Sequence, residues 1–297
     1  MTPEEILAIA PKIMTQSQRE AYFKDGFVLL PGLIDSEWLS RLRDVAAAFV
    51  EQSRDCEQSD GKFDVEASHS AAAPKLRRLS HPVDHDATFR EFSLRGPVVD
   101  VAEDLLGPNV CFHHSKLNFK WSGGGEEVKW HQDIHYWPHT DFSPLTIGVY
   151  LEDVDDEMGP MGVVPGSQRG PLYVLADDDG NWTGAIRDQE IAGANIDSAV
   201  YLKGPAGSVT VHNCCSVHGS APNYSTRVRP LLLQTYTAGD SIPLQTIGTN
   251  GLGDHANTMV RGSRPPFLNI AGRQVPTAPD YSGGYTSIFA VQQEENA

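Results

Sequence analysis

Between residues 110 and 237 the chain runs through short apolar and β-branched stretches, most bounded by Gly or Pro, and this texture constrains the fold most. The stretches are VCFHHSKLNFKW (110–121), TIGVYLEDV (146–154), GVVPG (162–166), SVTVH (208–212) and RPLLLQTYT (229–237). Turn signals punctuate them, with Gly-Gly-Gly at 123–125, Gly-Pro at 159–160 and Pro-Gly at 165–166. Several short strands with such punctuation predict an all-β sandwich or barrel. Upstream, the period is helical. Residues 15–24 open on a Thr cap and end at Gly26, and FVLLPG (27–32) reads as a strand stopped by Pro-Gly. Asp35 or Ser36 caps a helix in which Leu39, Leu42, Ala46 and Phe49 recur at helical spacing. Residues 52–72 are polar and read as loop, and a helix is predicted from about 86 to 106.

The layout is therefore mainly β with flanking helices. A single domain over 1–297 is expected, with helical support to about 107, a β core over about 108–240, and a lid or tail over about 241–297. The segment 240–285 is rich in Gly, Pro, Ser and Thr and too long for an ordinary connection. It reads equally as a lid or as a surface excursion.

Charge excludes some functions. Against 39 acidic residues stand 23 Lys and Arg, a net charge of −16. Neither a nucleic acid nor an anionic membrane surface is an expected partner, although a pocket can carry a local field opposite to the net charge. No apolar run approaches the roughly 18–20 residues of a membrane span, and the N-terminal residues show no basic region ahead of an apolar block. The four cysteines form no C-x-x-C pair. They read as small core residues of a reduced, cytoplasmic chain without structural zinc.

Histidine carries the chemical signal. Eleven are present, and several crowd between 113 and 139 around Trp130-His131-Gln132-Asp133. On a strand, residues two apart share a face, so His131 and Asp133 point the same way. Two imidazoles and a carboxylate on one face of an octahedron are the ligand set of non-haem Fe(II) oxygenases. His212, His218 and His255 are the candidates for the second imidazole. A second His-x-Asp copy, His139 and Asp141, follows Pro138 and reads as loop, so the first copy is preferred. Eleven residues after His218, Arg229 opens the apolar run PLLLQTY. A buried guanidinium needs a counter-charge. A dicarboxylate co-substrate would supply one, as would a local acid, or the residue ends its strand in water.

These residues, taken together and in order, resemble the phytanoyl-CoA dioxygenase family of Fe(II)/2-oxoglutarate-dependent oxygenases. The likeness starts at Asp25-Gly26-Phe27-Val28-Leu29-Leu30-Pro31-Gly32 and continues through His131-Gln132-Asp133, Val164-Pro165-Gly166-Ser167, His218-Gly219-Ser220 and Arg229. It implies a double-stranded β-helix, the jelly-roll or cupin-like class. It implies that His131, Asp133 and His218 hold Fe(II), and that Arg229 and Ser220 bind the distal carboxylate of 2-oxoglutarate. Lys75 matches a position where the family often has a co-substrate-binding lysine. With O2 as co-substrate, such an enzyme hydroxylates a small molecule and releases succinate and CO2. Several positions depart from the family pattern. Gly159-Pro160-Met161-Gly162 replaces the usual hairpin start, Gln168 replaces a His, and Val149 stands where some relatives place a Trp near the co-substrate.

His135 and Trp137 are candidate substrate contacts, whereas Trp130 and Phe119 read as core. The acidic balance disfavours a highly anionic CoA ester, although Arg261 and Arg264 are candidates to touch an anionic group. Two other functions compete. His131 and His135 are four apart, as in helical zinc hydrolases, but Gln132 supplies no general base and the aromatic content disfavours helix. A non-enzymatic jelly-roll binding protein is the other, although it would need neither the triad nor the arginine.

Overall fold

Capping residues set where the helices begin. The computed structural model describes residues 1–123, 127–244, 252–270, 272–277 and 287–294. Thr2 caps α1 (Pro3–Leu7). Thr15 caps α2 (Gln16–Asp25) in a reciprocal arrangement with Gln18, and α2 ends on Gly26 at φ 83°. After β1 (Phe27–Leu30), the Asp35 side chain accepts from Trp38 N–H and starts α3 (Ser36–Gln52).

The polar segment predicted as loop contains a short strand, β2 (Phe63–Val65), which pairs with β3 (Leu76–Ser80). A turn of helix, α4 (Pro82–His85), follows. The helix predicted from about 86 to 106 is two helices, α5 (Ala87–Arg95) and α6 (Pro97–Leu106). Pro97 has no N–H to continue α5, and it holds Gly96 in an extended conformation with ψ 179°.

The strands that follow are β4 (Val110–Lys120), β5 (Val128–His131), β6 (Leu145–Tyr150), β7 (Met161–Val163), β8 (Val200–Leu202), β9 (Val209–Asn213), β10 (His218–Ser220) and β11 (Arg229–Ala238). They form two sheets. The larger runs β1-β9-β6-β11-β4-β3-β2, and the smaller runs β5-β10-β7-β8. Alternation along the central strands gives the large sheet two different faces. Leu117, Ile147, Val211 and Leu232 point outward into a core shared with Leu42 of α3, Phe89 of α5 and Val98 of α6. His114, Thr146, His212 and Leu233 point inward, toward a cavity. With helices on one face and the small sheet on the other, β6 is buried along its whole length. The fold is the expected jelly-roll class, although its sheets do not close into a barrel.

In the tail, β12 (Thr258–Arg261) shares an edge of β4 with β3, while β13 (Phe267–Ile270) and β14 (Arg273–Pro276) make a hairpin. Residues 245–251, 271, 278–286 and 295–297 of the expected lid or tail lie outside the described residues. None of the described tail residues lines the cavity. Among the described residues, no helix is long and apolar enough to cross a membrane. Cys111, Cys214 and Cys215 are buried, as expected of core cysteines, while Cys56 is half-buried.

Candidate active site

The strand β5 delivers His131 as its last residue, and the chain then leaves the sheet. Asp133 opens a 3-10 turn rather than continuing the strand, so the expectation of two ligands alternating on one strand holds only for His131. The turn still aims the carboxylate at the imidazole. β10 runs antiparallel to β5 with His218 directly opposite His131, which places their rings 4.2 Å apart between centroids. One donor atom from each of His131, Asp133 and His218 lies within 4.8 Å of the other two. Asp133 Oδ1 is 3.7 Å from His131 Nε2 and 3.8 Å from His218 Nε2.

Hydrogen bonds prepare each donor. His131 Nδ1 lies 2.7 Å from the Lys129 carbonyl, and His218 Nδ1 lies 2.9 Å from the Ser216 carbonyl. A carbonyl only accepts, so each Nδ1 carries the proton and each Nε2 presents its lone pair. On the other side of the carboxylate, Asp133 Oδ2 accepts from Thr146 Oγ1 at 3.0 Å and from His212 Nε2 at 3.2 Å, leaving Oδ1 toward the imidazoles. Burial pushes the Asp133 carboxyl up. His218, the His212 hydrogen bond and the Lys116 charge outweigh this and hold it well below the usual carboxylate range. Burial, joined by its histidine neighbours, holds His218 well below the usual imidazole range. Two neutral imidazoles and one carboxylate, gathered on one side of a cavity, form a donor set that suits ferrous iron with open positions.

The other histidine candidates fall elsewhere. His212 supports the Asp133 carboxylate. His255 bonds Asp84 at 2.6 Å in the tail. His139 turns Nδ1 to the Trp137 carbonyl, while Asp141 accepts from Ser143 and Ser241. His131 and His135 do not share a helix, so the geometry of a helical zinc pair is absent.

Arg229 opens β11 and is 3 % exposed, yet its Nε and Nη1 have no hydrogen-bond partner. The Tyr150 hydroxyl lies beside it. Among the described residues, no carboxylate forms an ion pair with it, so the alternative of a local acidic partner does not apply. Opposite Arg229 in the β4–β11 register stands a second buried cation, Lys120. Its Nζ donates to Ser220 Oγ at 2.7 Å, to the Ser220 carbonyl at 3.1 Å, and to the Ala221 carbonyl. Burial, then the Arg229 charge, lower the Lys120 ammonium to about 6. A buried guanidinium beside a hydroxyl and a lysine that takes up a proton as an anion arrives make a receptor for a carboxylate.

A cavity of about 660 Å³ joins this receptor to the triad. Tyr136 and Trp137 line it, but His135 does not, and its Nε2 is buried without a partner. Lys75 lies outside the wall, ahead of β3, where its N–H donates to His69 Nδ1 at 2.8 Å. From β3 it is Arg77, Arg78 and Ser80 that reach the cavity.

Val149 points into the helix-side core, because strand parity gives the position beside Arg229 to Tyr150. Gln168 has a structural role: its Nε2 donates to the Phe23 and Lys24 carbonyls at the end of α2, both at 3.3 Å. Arg261 pairs with Asp100 at 2.6 Å and Glu103 at 3.2 Å on α6, and Arg264 donates to the Gly239 carbonyl. Neither arginine reaches the cavity, which corrects the expectation that they meet an anionic group there. Trp130 is half-buried against a satellite cluster, and Phe119 belongs to the main core.

Sequence reasoning missed Lys120, Thr146 and the role of His212. One signal was present: Lys116, Asn118 and Lys120 alternate with Leu117 and Phe119 on a long strand, so the polar set must face one interior side.

Comparison with known proteins agrees with this geometry. The family model "Phytanoyl-CoA dioxygenase (PhyH)" matches residues 22–231. A probable alpha-ketoglutarate-dependent hypophosphite dioxygenase of Stutzerimonas stutzeri is 29 % identical over 260 residues, covering 86 % of this chain and 88 % of that protein. The L-proline trans-4-hydroxylase of Streptomyces griseoviridis is 27 % identical over 277 residues, covering 87 % and 93 %. The crystal structure of EctD from S. alaskensis with bound Fe superposes with a TM-score of 0.69 at 20 % identity, covering 87 % of this chain and 90 % of that one. The chain belongs to the phytanoyl-CoA dioxygenase family, and it is a dioxygenase of the iron- and 2-oxoglutarate-dependent class.

Proposed function

We propose that His131, Asp133 and His218 hold Fe(II), that Arg229, Lys120 and Ser220 hold the distal carboxylate of 2-oxoglutarate, and that a small organic or inorganic substrate enters beside Tyr136 and Trp137. The convergence of three prepared donors with a buried, unpartnered guanidinium across one cavity carries this reading. The relatives named for hypophosphite and L-proline act on small molecules, which supports a substrate of similar size. A Lys75 contact to the co-substrate has no support from the cavity wall, and Lys120 takes that place in the proposal.

Iron with 2-oxoglutarate and O2 supplies the oxidation of the substrate, with decarboxylation of the co-substrate to succinate and CO2. The protein does the positioning. The carbonyls of Lys129 and Ser216 fix both imidazole tautomers, and Thr146 and His212 hold the carboxylate with one oxygen facing the metal side. Arg229 sets the direction of the co-substrate by gripping its far end, and the rings of Tyr136 and Trp137 line the cavity.

We further propose that residues 1–297 work as one catalytic domain in a reduced, cytoplasmic setting. Helices and strands share one core, and Cys214 and Cys215 remain unbonded with sulfurs 3.8 Å apart. The direct test is anaerobic titration of the Fe(II) protein with 2-oxoglutarate, followed by visible absorption. A chelate charge-transfer band is expected in the wild type and in His135→Ala, and its loss in Asp133→Ala. A wild-type protein that never develops the band overturns the assignment.

A further inference from the structure

Beyond the cations assigned to the co-substrate, the cavity is lined by Arg77, Arg78, Lys116 and Lys129, of which Arg77 is paired with Asp64. On β4 the inward positions are His114, Lys116, Asn118 and Lys120. Lys120 faces Arg229, while Lys116 stands four residues back, opposite Leu233, on the side of Asp133. From the neighbouring strand β3, Arg78 reaches the same space. Its Nε donates at 2.9 Å to Oδ1 of Asn118, its register partner on β4. The ring of Tyr136, on the opposite wall, sits 5.7 Å from that of His131. Arg78 and Lys116 are thus two cationic heads over the metal side of the cavity, away from the Arg229 end.

Neither head has an acidic partner in an ion pair among the described residues. Of the carboxylates of the wall, Asp64 pairs with Arg77 at 2.7 Å and Asp133 is held by Thr146 and His212, while Glu66 and Glu127 also line the cavity. Arg78 is exposed and Lys116 half-buried, and Asp64 attracts the first and Asp133 the second without forming an ion pair, so both heads stay available to an anion that enters. A guanidinium fork beside an ammonium matches the oxygens of a carboxylate or a similar oxyanion.

We infer that the substrate of this enzyme is a small anion, a carboxylate or comparable oxyanion, gripped by Arg78 and Lys116 so that its oxidisable bond faces the His131–Asp133–His218 side. This rests on the reading proposed above and adds the substrate class to it. It also reconciles an acidic protein with an anionic substrate, because the overall −16 does not describe the local field inside the cavity.

The test uses the full chain with Fe(II) and saturating 2-oxoglutarate, and follows succinate release. The anionic groups tested are the carboxylates of cyclopentanecarboxylate and of zwitterionic L-proline, each against its amide, and sodium hypophosphite. Acceleration by one or more of the anions, and by neither amide, is expected. For the most active anion, Lys116→Gln and Arg78→Gln should each raise the half-saturating concentration tenfold or more. The half-saturation for 2-oxoglutarate should move less than threefold, and Lys116→Arg should recover most of the loss. Equal acceleration by an amide, no acceleration by any anion while the 2-oxoglutarate absorption band is intact, or unchanged half-saturation in both Gln variants overturns the inference. Loss of that band in the wild type instead overturns the underlying site assignment, and the anion inference falls with it.

Discussion

His212 Nε2 lies 3.2 Å from Asp133 Oδ2, on the side of the carboxylate turned away from the two imidazoles. The residues are far apart in sequence, and β9 and the turn after β5 bring them together from different sheets. Together with Thr146, His212 consumes one carboxylate oxygen and leaves the other for a metal. His212→Leu is therefore expected to weaken Fe(II) binding by about 10–100-fold, the usual loss for such a supporting contact. His212→Gln, which keeps an N–H donor, should recover part of it. Anaerobic Fe(II) titration measures both, and equal affinity in the Leu variant would show that the contact does not orient the ligand.

Arg229 is buried with two unpartnered nitrogens, so its replacement removes both a charge and a receptor. Arg229→Ala should weaken 2-oxoglutarate binding by about 2–5 kcal/mol, the range for truncating one partner of a buried charged pair. Arg229→Lys should fall between, since an ammonium lacks the planar fork. Titration of the absorption band reads this directly.

Lys120 gives the pH dependence. Its ammonium, lowered from 10.5 to about 6, is increasingly neutral as pH rises above that value in the free enzyme. A bound carboxylate needs the charged form, so binding must take up a proton. Affinity for 2-oxoglutarate should fall as pH rises from about 6, by at most about tenfold per unit. The free protein behaves oppositely. Between about 6 and 10.5 the unfolded chain binds more protons at this site than the folded one, so this group's contribution to stability grows with pH. Lys120→Met should flatten the affinity profile, and a wild-type profile already flat from pH 6 to 8.5 would remove the role.

Phe89 is fully buried where α5 meets the outer face of the large sheet, stacked 6.2 Å from Phe49 between ring centroids. Phe89→Ala should cost about 3–5 kcal/mol, measured by urea unfolding. A loss under 1 kcal/mol would mean that the helices contribute little to holding the sheet.

The parts legible in the sequence were those encoded locally. His131 and Asp133 are two residues apart, and the short β runs announce themselves through Gly and Pro, so both survive translation into structure. Long-range register was not legible. Lys120 meets Arg229 only because β4 and β11 pair at that offset, and nothing near Lys120 in the chain says so. Parity sets the place of Val149: a shift of one residue exchanges the cavity face for the core face, and Tyr150 holds the inward place. The β4 strand also shows why polar residues at alternate positions of a strand with apolar neighbours reveal a wet interior better than any motif does.

The small sheet, with the turn that follows its first strand, supplies the proposed metal donors, whereas the large sheet supplies Arg229 and Lys120. A keto-diacid reaching from one set to the other would act as an added strut between two layers already joined by side-chain packing and by hydrogen bonds such as those of Lys120 to Ser220. Its arrival should damp the breathing of the sandwich, and amide protons of β10 and β11 should exchange more slowly with solvent deuterium once it is in place.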